Sequence, residues 1–104
     1  MEHHDLLSGL VRLHILHHAA EHPVYGQWMI EELARHGYRL SPGTLYPMLS
    51  KLERDSYLTS TTKRDGRTSR KFYTITDKGR EGLAVARLRL KELTGEAGQH
   101  DRQD

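Results

Sequence analysis

The stretch LSPGTLYPMLSKLERD, residues 40–55, carries two conflicting signals. Ser41-Pro42 reads as a helix start, with serine at the N-cap and proline at the first helical position, where its missing N–H costs nothing. Leu45, Met48, Leu49 and Leu52 then recur at helical spacing and mark an inward face. Yet Gly43 and Pro47 fall inside the first two turns. Pro47 cannot donate to the carbonyl of Gly43, and a glycine in a helix interior costs roughly 1 kcal/mol. Local propensity explains neither residue, but both suit close approach. Gly43 removes a side chain, and Pro47 offers a flat apolar surface of the kind that meets a thymine methyl. The outward set is Ser41, Gly43, Thr44, Tyr46, Pro47, Ser50, Lys51 and Arg54, with hydroxyls and small groups first and cations after. That is the layout of a helix whose N-terminal turns enter a DNA groove, where its backbone N–H groups also favour phosphate oxygens.

The flanking sequence supplies the frame. Residues 6–20 place Leu6, Leu10, Leu13 and Leu16 near helical spacing, with Leu7, Val11 and Ile15 widening the stripe. Pro23 ends this element. A second helix is expected from near Tyr25 to His36, with Met29, Ile30, Leu33 and Ala34 inward and Gly37 at a left-handed C-terminal position. After the third helix, YLTSTTK and RKFYTIT are β-rich runs, and the RDGRTS between them holds an Asp-Gly turn signal. This predicts a β-hairpin with a long tip. Its outer part, residues 63–71, gathers Lys63, Arg64, Arg67, Arg70 and Lys71 against Asp65, a basic wing able to track phosphates or enter a minor groove. Asp77 is expected to cap a last helix, residues 78–94. Along it Leu83, Ala86, Leu90 and Leu93 follow the a/d seam of a short coiled coil, broadened by Val85 and Leu88. Residues 95–104 are expected to form a disordered polar tail.

The predicted fold is therefore mainly α with a small β-hairpin wing (α+β), a winged helix-turn-helix with a C-terminal dimerisation helix. Residues 1–76 form the DNA-binding unit and residues 77–94 the helix packed on it. A chain of 104 residues has room for one such domain and no separate catalytic lobe. There is no cysteine, no apolar run near the roughly 20 residues of a membrane span and no recognisable secretory signal. A cytoplasmic location with no membrane partner is the expectation. Charge is unevenly spread. Residues 41–80 hold nine Lys/Arg against four Asp/Glu, a net of +5, while residues 1–40 and 81–104 carry −2 and −1. A localised positive field fits a polyanion partner. No nucleophile–base pair is apparent, so neither an enzyme nor a cofactor is expected.

SPGTLYPMLSKLERD, SRKFYTITDKGREGL and the upstream PVYG resemble the PadR family of bacterial winged-helix transcriptional regulators over residues 6–94. The resemblance implies a homodimer that binds double-stranded DNA and usually represses, with small phenolic or drug-like molecules or other cues releasing many members. By position it implies that Ser41, Gly43, Thr44, Tyr46, Pro47 and Lys51 face the groove. Tyr25 and Gly26 would begin the supporting helix near the phosphates, and Arg67, Arg70 and Lys71 would belong to the wing, which Arg64 joins from the same basic run. The single C-terminal helix resembles the short subgroup, in which the first helix helps form the dimer. The expected interface is thus Leu6, Leu10, Leu83, Ala86, Leu90 and Leu93, and two-fold symmetry implies a pseudo-palindromic operator.

This chain departs from the family pattern in places. Gln27 and Trp28 follow PVYG where an aromatic and then an acidic residue are usual, and Ser56 stands where glycine is usual. Trp28 is the sole tryptophan and could platform a flat effector. His14, His18 and His22 step by four along one helical face, with His17 beside them, a spacing that suits a Zn²⁺, Ni²⁺ or Cu²⁺ site or a protonation switch. Satisfied or solvated histidines are the commoner reading, so no metal is assigned. The alternative functions are a winged-helix protein-interaction module, or a metal- or pH-responsive regulator using these histidines.

Overall fold

The computed structural model describes residues 2–96; the expected tail at 97–104 lies outside the described residues. Its elements are α1 (His4–Glu21), α2 (Gly26–Arg35), α3 (Pro42–Arg54), β1 (Leu58–Asp65), β2 (Thr68–Ile75) and α4 (Asp77–Lys91), continued by a π-helical turn over Glu92–Glu96. This is the predicted order of a winged helix-turn-helix. Helical structure runs through Glu96, so the first two residues of the expected tail, Gly95 and Glu96, extend α4.

One core unites the elements. Val11, Ile15, Leu16 and Ala19 of α1 meet Met29 and Leu33 of α2, Leu45, Met48, Leu49 and Leu52 of α3, Leu58, Tyr73 and Ile75 at the hairpin base, and Leu83 of α4. The inward stripe of α3 is as expected. That of α1 is rotated from its expected centre: Val11 and Ile15 are wholly buried, whereas Leu6 is 79% exposed and Leu10 and Leu13 only half-buried. An α1 that is apolar almost all round offers more than one face, and α2, the hairpin and α4 select Val11 and Ile15.

The hairpin is longer and its tip shorter than expected. Pairing continues from Leu58↔Ile75 to Asp65↔Thr68, leaving only Gly66 and Arg67 in the turn. Gly66 has φ 63°, which glycine adopts at no steric cost. The hairpin base is pinned by a bridge to the α1–α2 connection: Val24 N–H donates to the Tyr73 carbonyl at 2.9 Å, and Tyr73 N–H returns to Val24 at 2.7 Å.

Two helix ends refine the sequence reading. The N-cap of α4 is Thr76, not Asp77; its Oγ1 accepts from Gly79 N–H at 3.0 Å and donates to the Ser56 carbonyl at 2.5 Å. Thr76 wins because it alone serves both partners, tying the end of α3 to the start of α4. Ser56 keeps the left-handed geometry usually given to glycine, at φ 69°, and Gly37 has the expected positive φ of 90°.

Candidate nucleic-acid interface

Helix α3 presents its start as read from sequence. Ser41, Gly43, Tyr46, Pro47, Ser50, Lys51 and Arg54 are exposed and Thr44 is half-buried. Ser41 occupies the N-cap, but its side chain does not cap the helix. Its Oγ instead lies 3.3 Å from Oγ1 of Thr44, so two hydroxyls stand together at the helix tip.

The wing shares a cleft of about 400 Å³ with this helix. Tyr46 of α3, Tyr25, Gly26 and Gln27 at the start of α2, and Thr68, Ser69, Arg70, Lys71 and Tyr73 of β2 line it. Gly26 has no side chain to spare: a Cβ there would run into the Tyr46 ring. Tyr46 in the second turn of α3 and the β2 side of the wing therefore face the same space.

Charge on the wing is arranged at a local cost. Lys63 and Arg70 are directly paired across the strands, and like charges in that relation repel. Aromatic faces offset part of this. The Arg70 guanidinium lies 4.5 Å above the Tyr25 ring, Lys63 lies 5.6 Å from the Phe72 ring, and Tyr25 and Phe72 meet edge to face. Arg64, Arg67 and Arg70 have no carboxylate partner among the described residues, whereas Lys71 pairs with Glu53 at 3.2 Å and Lys51 with Asp55 at 3.0 Å. Glu53 also accepts from Ser60 Oγ at 2.5 Å; that hydrogen bond first, and Lys71 second, hold its carboxyl below the usual range. In return the Glu53 hydrogen bond raises the Lys71 ammonium. Glu53 thus anchors the wing to α3, a role the sequence reading missed because its partners lie 7 and 18 residues downstream.

The model of the Transcriptional regulator PadR-like family matches residues 15–85, well over half of the chain. The chain belongs to the PadR-like family of transcriptional regulators. It is 54% identical over 93 residues to the transcriptional regulator Rv3488 of Mycobacterium tuberculosis, covering 88% of this chain and 86% of that one. A PadR family transcriptional regulator from Eggerthella lenta superposes with TM-score 0.81 at 29% identity, over 96% of this chain and 88% of the other. A PadR-like transcriptional regulator from Bacillus cereus gives 0.78 at 27% identity, over 96% and 98%. The fold and the relatives are those of transcriptional regulators rather than enzymes.

Two further surfaces of this PadR-like chain follow from its other expected residues. Leu83 is spent on the chain's own core, but Leu10, Leu13, Leu83 and Leu90 line an open apolar cleft between α1 and α4. Around it Leu6, Val85, Leu88 and Leu93 are exposed by 79, 52, 53 and 73%, and Ala86 is half-buried. No helix among the described residues is long and apolar enough to cross a membrane.

The histidines of α1 lie against α2. His14 stacks near His36 and Tyr38, with ring centroids 5.2 and 5.1 Å away, and His18 meets the edge of Trp28 at 5.4 Å. Burial, reinforced for His14 by the neighbouring imidazoles, lowers both His14 and His18 below the ordinary value and favours their neutral forms. His22 falls just past the helix in extended backbone and packs on Trp28, 5.0 Å away, rather than joining His18. Trp28 is itself half-buried. Sequence spacing within α1 had no access to Glu32 of α2 and His36 at its C-cap, which lie beside His18.

Proposed function

We propose that the protein is a homodimeric, sequence-reading DNA-binding regulator of the PadR type, a repressor released by a small-molecule or other environmental cue. The observation that carries this reading is the shared cleft, where Tyr46 of the exposed face of α3 and Arg70 of the wing look onto one space. Ser41, Gly43, Thr44, Tyr46 and Pro47 enter the major groove and read base edges. Arg64, Arg67 and Arg70 contact flanking phosphates, and Tyr25 and Gly26 bring the start of α2 to the backbone. Lys51 and Lys71 act as positioning groups, because each is already held by a carboxylate.

The repulsion between Lys63 and Arg70 supports the same reading. A hairpin selected only for stability gains nothing by opposing two cations, and a polyanion turns that cost into affinity. Dimerisation rests on the α1–α4 surface, whose open cleft and exposed Leu6, Val85, Leu88 and Leu93 call for a second copy. Two α3 helices related by a two-fold axis then read a pseudo-palindrome.

Selection of bound duplexes from a random pool tests this directly. The expected product is an inverted repeat with half-sites about one helical turn apart, roughly 10 bp. Recovery of no preferred sequence would exclude the reading and favour a winged-helix protein-interaction module.

A further inference from the structure

Beyond DNA contact, one side-chain cluster has the composition and geometry of a coordination site. His18 of α1, Glu32 of α2 and His36 at the C-cap of α2 place three ligand atoms within 4.8 Å of one another. Glu32 Oε2 is 3.0 Å from His36 Nε2 and 3.5 Å from His18 Nε2. Donors around a tetrahedral Zn²⁺ at about 2.0–2.2 Å stand about 3.4 Å apart, so the His18 separation already matches and the His36 hydrogen bond must open by a few tenths of an ångström. The widest needs only a small side-chain adjustment.

The surroundings fit as well. Arg35 donates to the other carboxylate oxygen, Oε1, at 2.7 Å, which fixes Glu32 and leaves Oε2 turned toward the imidazoles. On the far side of the His18 ring, Nδ1 has Glu21 Oε1 at 3.8 Å, beyond hydrogen-bond distance but a small rotation from the outer carboxylate that metal-bound histidines commonly have. Glu32 and His18 are only 15 and 12% exposed, so the site is sheltered, while His36 at 47% leaves it a path to solvent. A rival grouping, His17, His18 and Glu21, lies on α1 alone, and the Arg87 guanidinium occupies His17 Nδ1 at 2.6 Å.

We propose that His18, Glu32 and His36 form a binding site for a divalent transition-metal ion of the Zn²⁺ class, with a fourth position open to water. Bound there, the ion clamps α1 to the C-terminal half of α2, the helix whose opposite end, Gly26, lies under Tyr46. The site stands independently of the DNA reading, since none of its ligands lines the cleft beside the wing.

Isothermal titration of the untagged full chain with Zn²⁺, in a His3→Ala/His4→Ala background, tests the proposal. About one ion per chain is expected, with a rise in melting temperature. His18→Ala, Glu32→Gln and His36→Ala should each weaken binding at least tenfold, while His17→Ala leaves it unchanged. Glu32→Gln keeps a hydrogen-bonding group of the same shape and guards against simple unfolding. No Zn²⁺ uptake, or uptake that survives both Glu32→Gln and His36→Ala, overturns the site. So does uptake abolished by His17→Ala.

Discussion

Gly26 and Tyr46 compete for one space: a Cβ built on Gly26 would fall 2.6 Å from the Tyr46 hydroxyl and against the ring itself. The phenol, 42% exposed, is therefore held at the mouth of the cleft by the absence of a side chain on the neighbouring helix. Gly26→Ala should push Tyr46 aside. Because the Cβ meets only the far end of the Tyr46 side chain, which can turn toward solvent, the fold should lose little. Affinity for the selected duplex should fall about tenfold, ~1.4 kcal/mol. Fluorescence anisotropy beside a thermal melt checks this, and undiminished affinity would remove Tyr46 from the interface.

The wing arginines predict a different signature. Arg64→Ala and Arg67→Ala should weaken binding to selected and unrelated duplexes alike, each lowering the salt slope by about one. Thr44→Ala should instead relax sequence preference with little change in that slope. A loss confined to the selected sequence for Arg67→Ala would place it against a base rather than a phosphate.

Ser56 occupies the left-handed region at φ 69° with its own side chain exposed. A non-glycine residue there costs about 1–2 kcal/mol, partly recovered because glycine loses more entropy on folding. Ser56→Gly should raise stability by about 0.5–1 kcal/mol, several degrees in melting temperature. A lower melting temperature would show that the serine is not strained.

Glu53 sets an acid limit on the wing anchor. Its carboxyl is depressed in the fold by Ser60 and Lys71 from an ordinary 4.5, so it contributes stability that is fully present above that value. The contribution is lost as pH falls through the lower, folded value. Glu53→Gln should therefore destabilise at pH 7, and its gap from the parent chain should close below about pH 4.5. Denaturant melts of both chains across pH 3–7 measure the gap; a gap constant with pH would contradict the assignment.

Much of this architecture is legible from residue order. Ser41-Pro42 and the Leu45/Met48/Leu49/Leu52 stripe mark α3 because capping and periodicity act within one element. The cations at 63–71 mark the wing because a charged run needs no tertiary context to be seen. What stays hidden depends on pairs from different elements. The inward face of α1 could not be chosen while Leu6, Leu10 and Leu13 looked as apolar as Val11 and Ile15. Thr76 and Asp77 are both good caps, and only the carbonyl of Ser56 decides between them. Glu53 and Lys71, or His18 and Glu32, meet through packing that no spacing rule reports.

The central claim is that the start of α3 and the basic wing grip one duplex together. Equilibrium binding of the selected duplex between 50 and 200 mM salt tests it most directly. With roughly six phosphates neutralised, log K should fall against log[salt] with a slope of about −5, and with visibly less in Arg64→Ala/Arg67→Ala. Affinity that ignores salt, or a slope that the double variant leaves untouched, would contradict it.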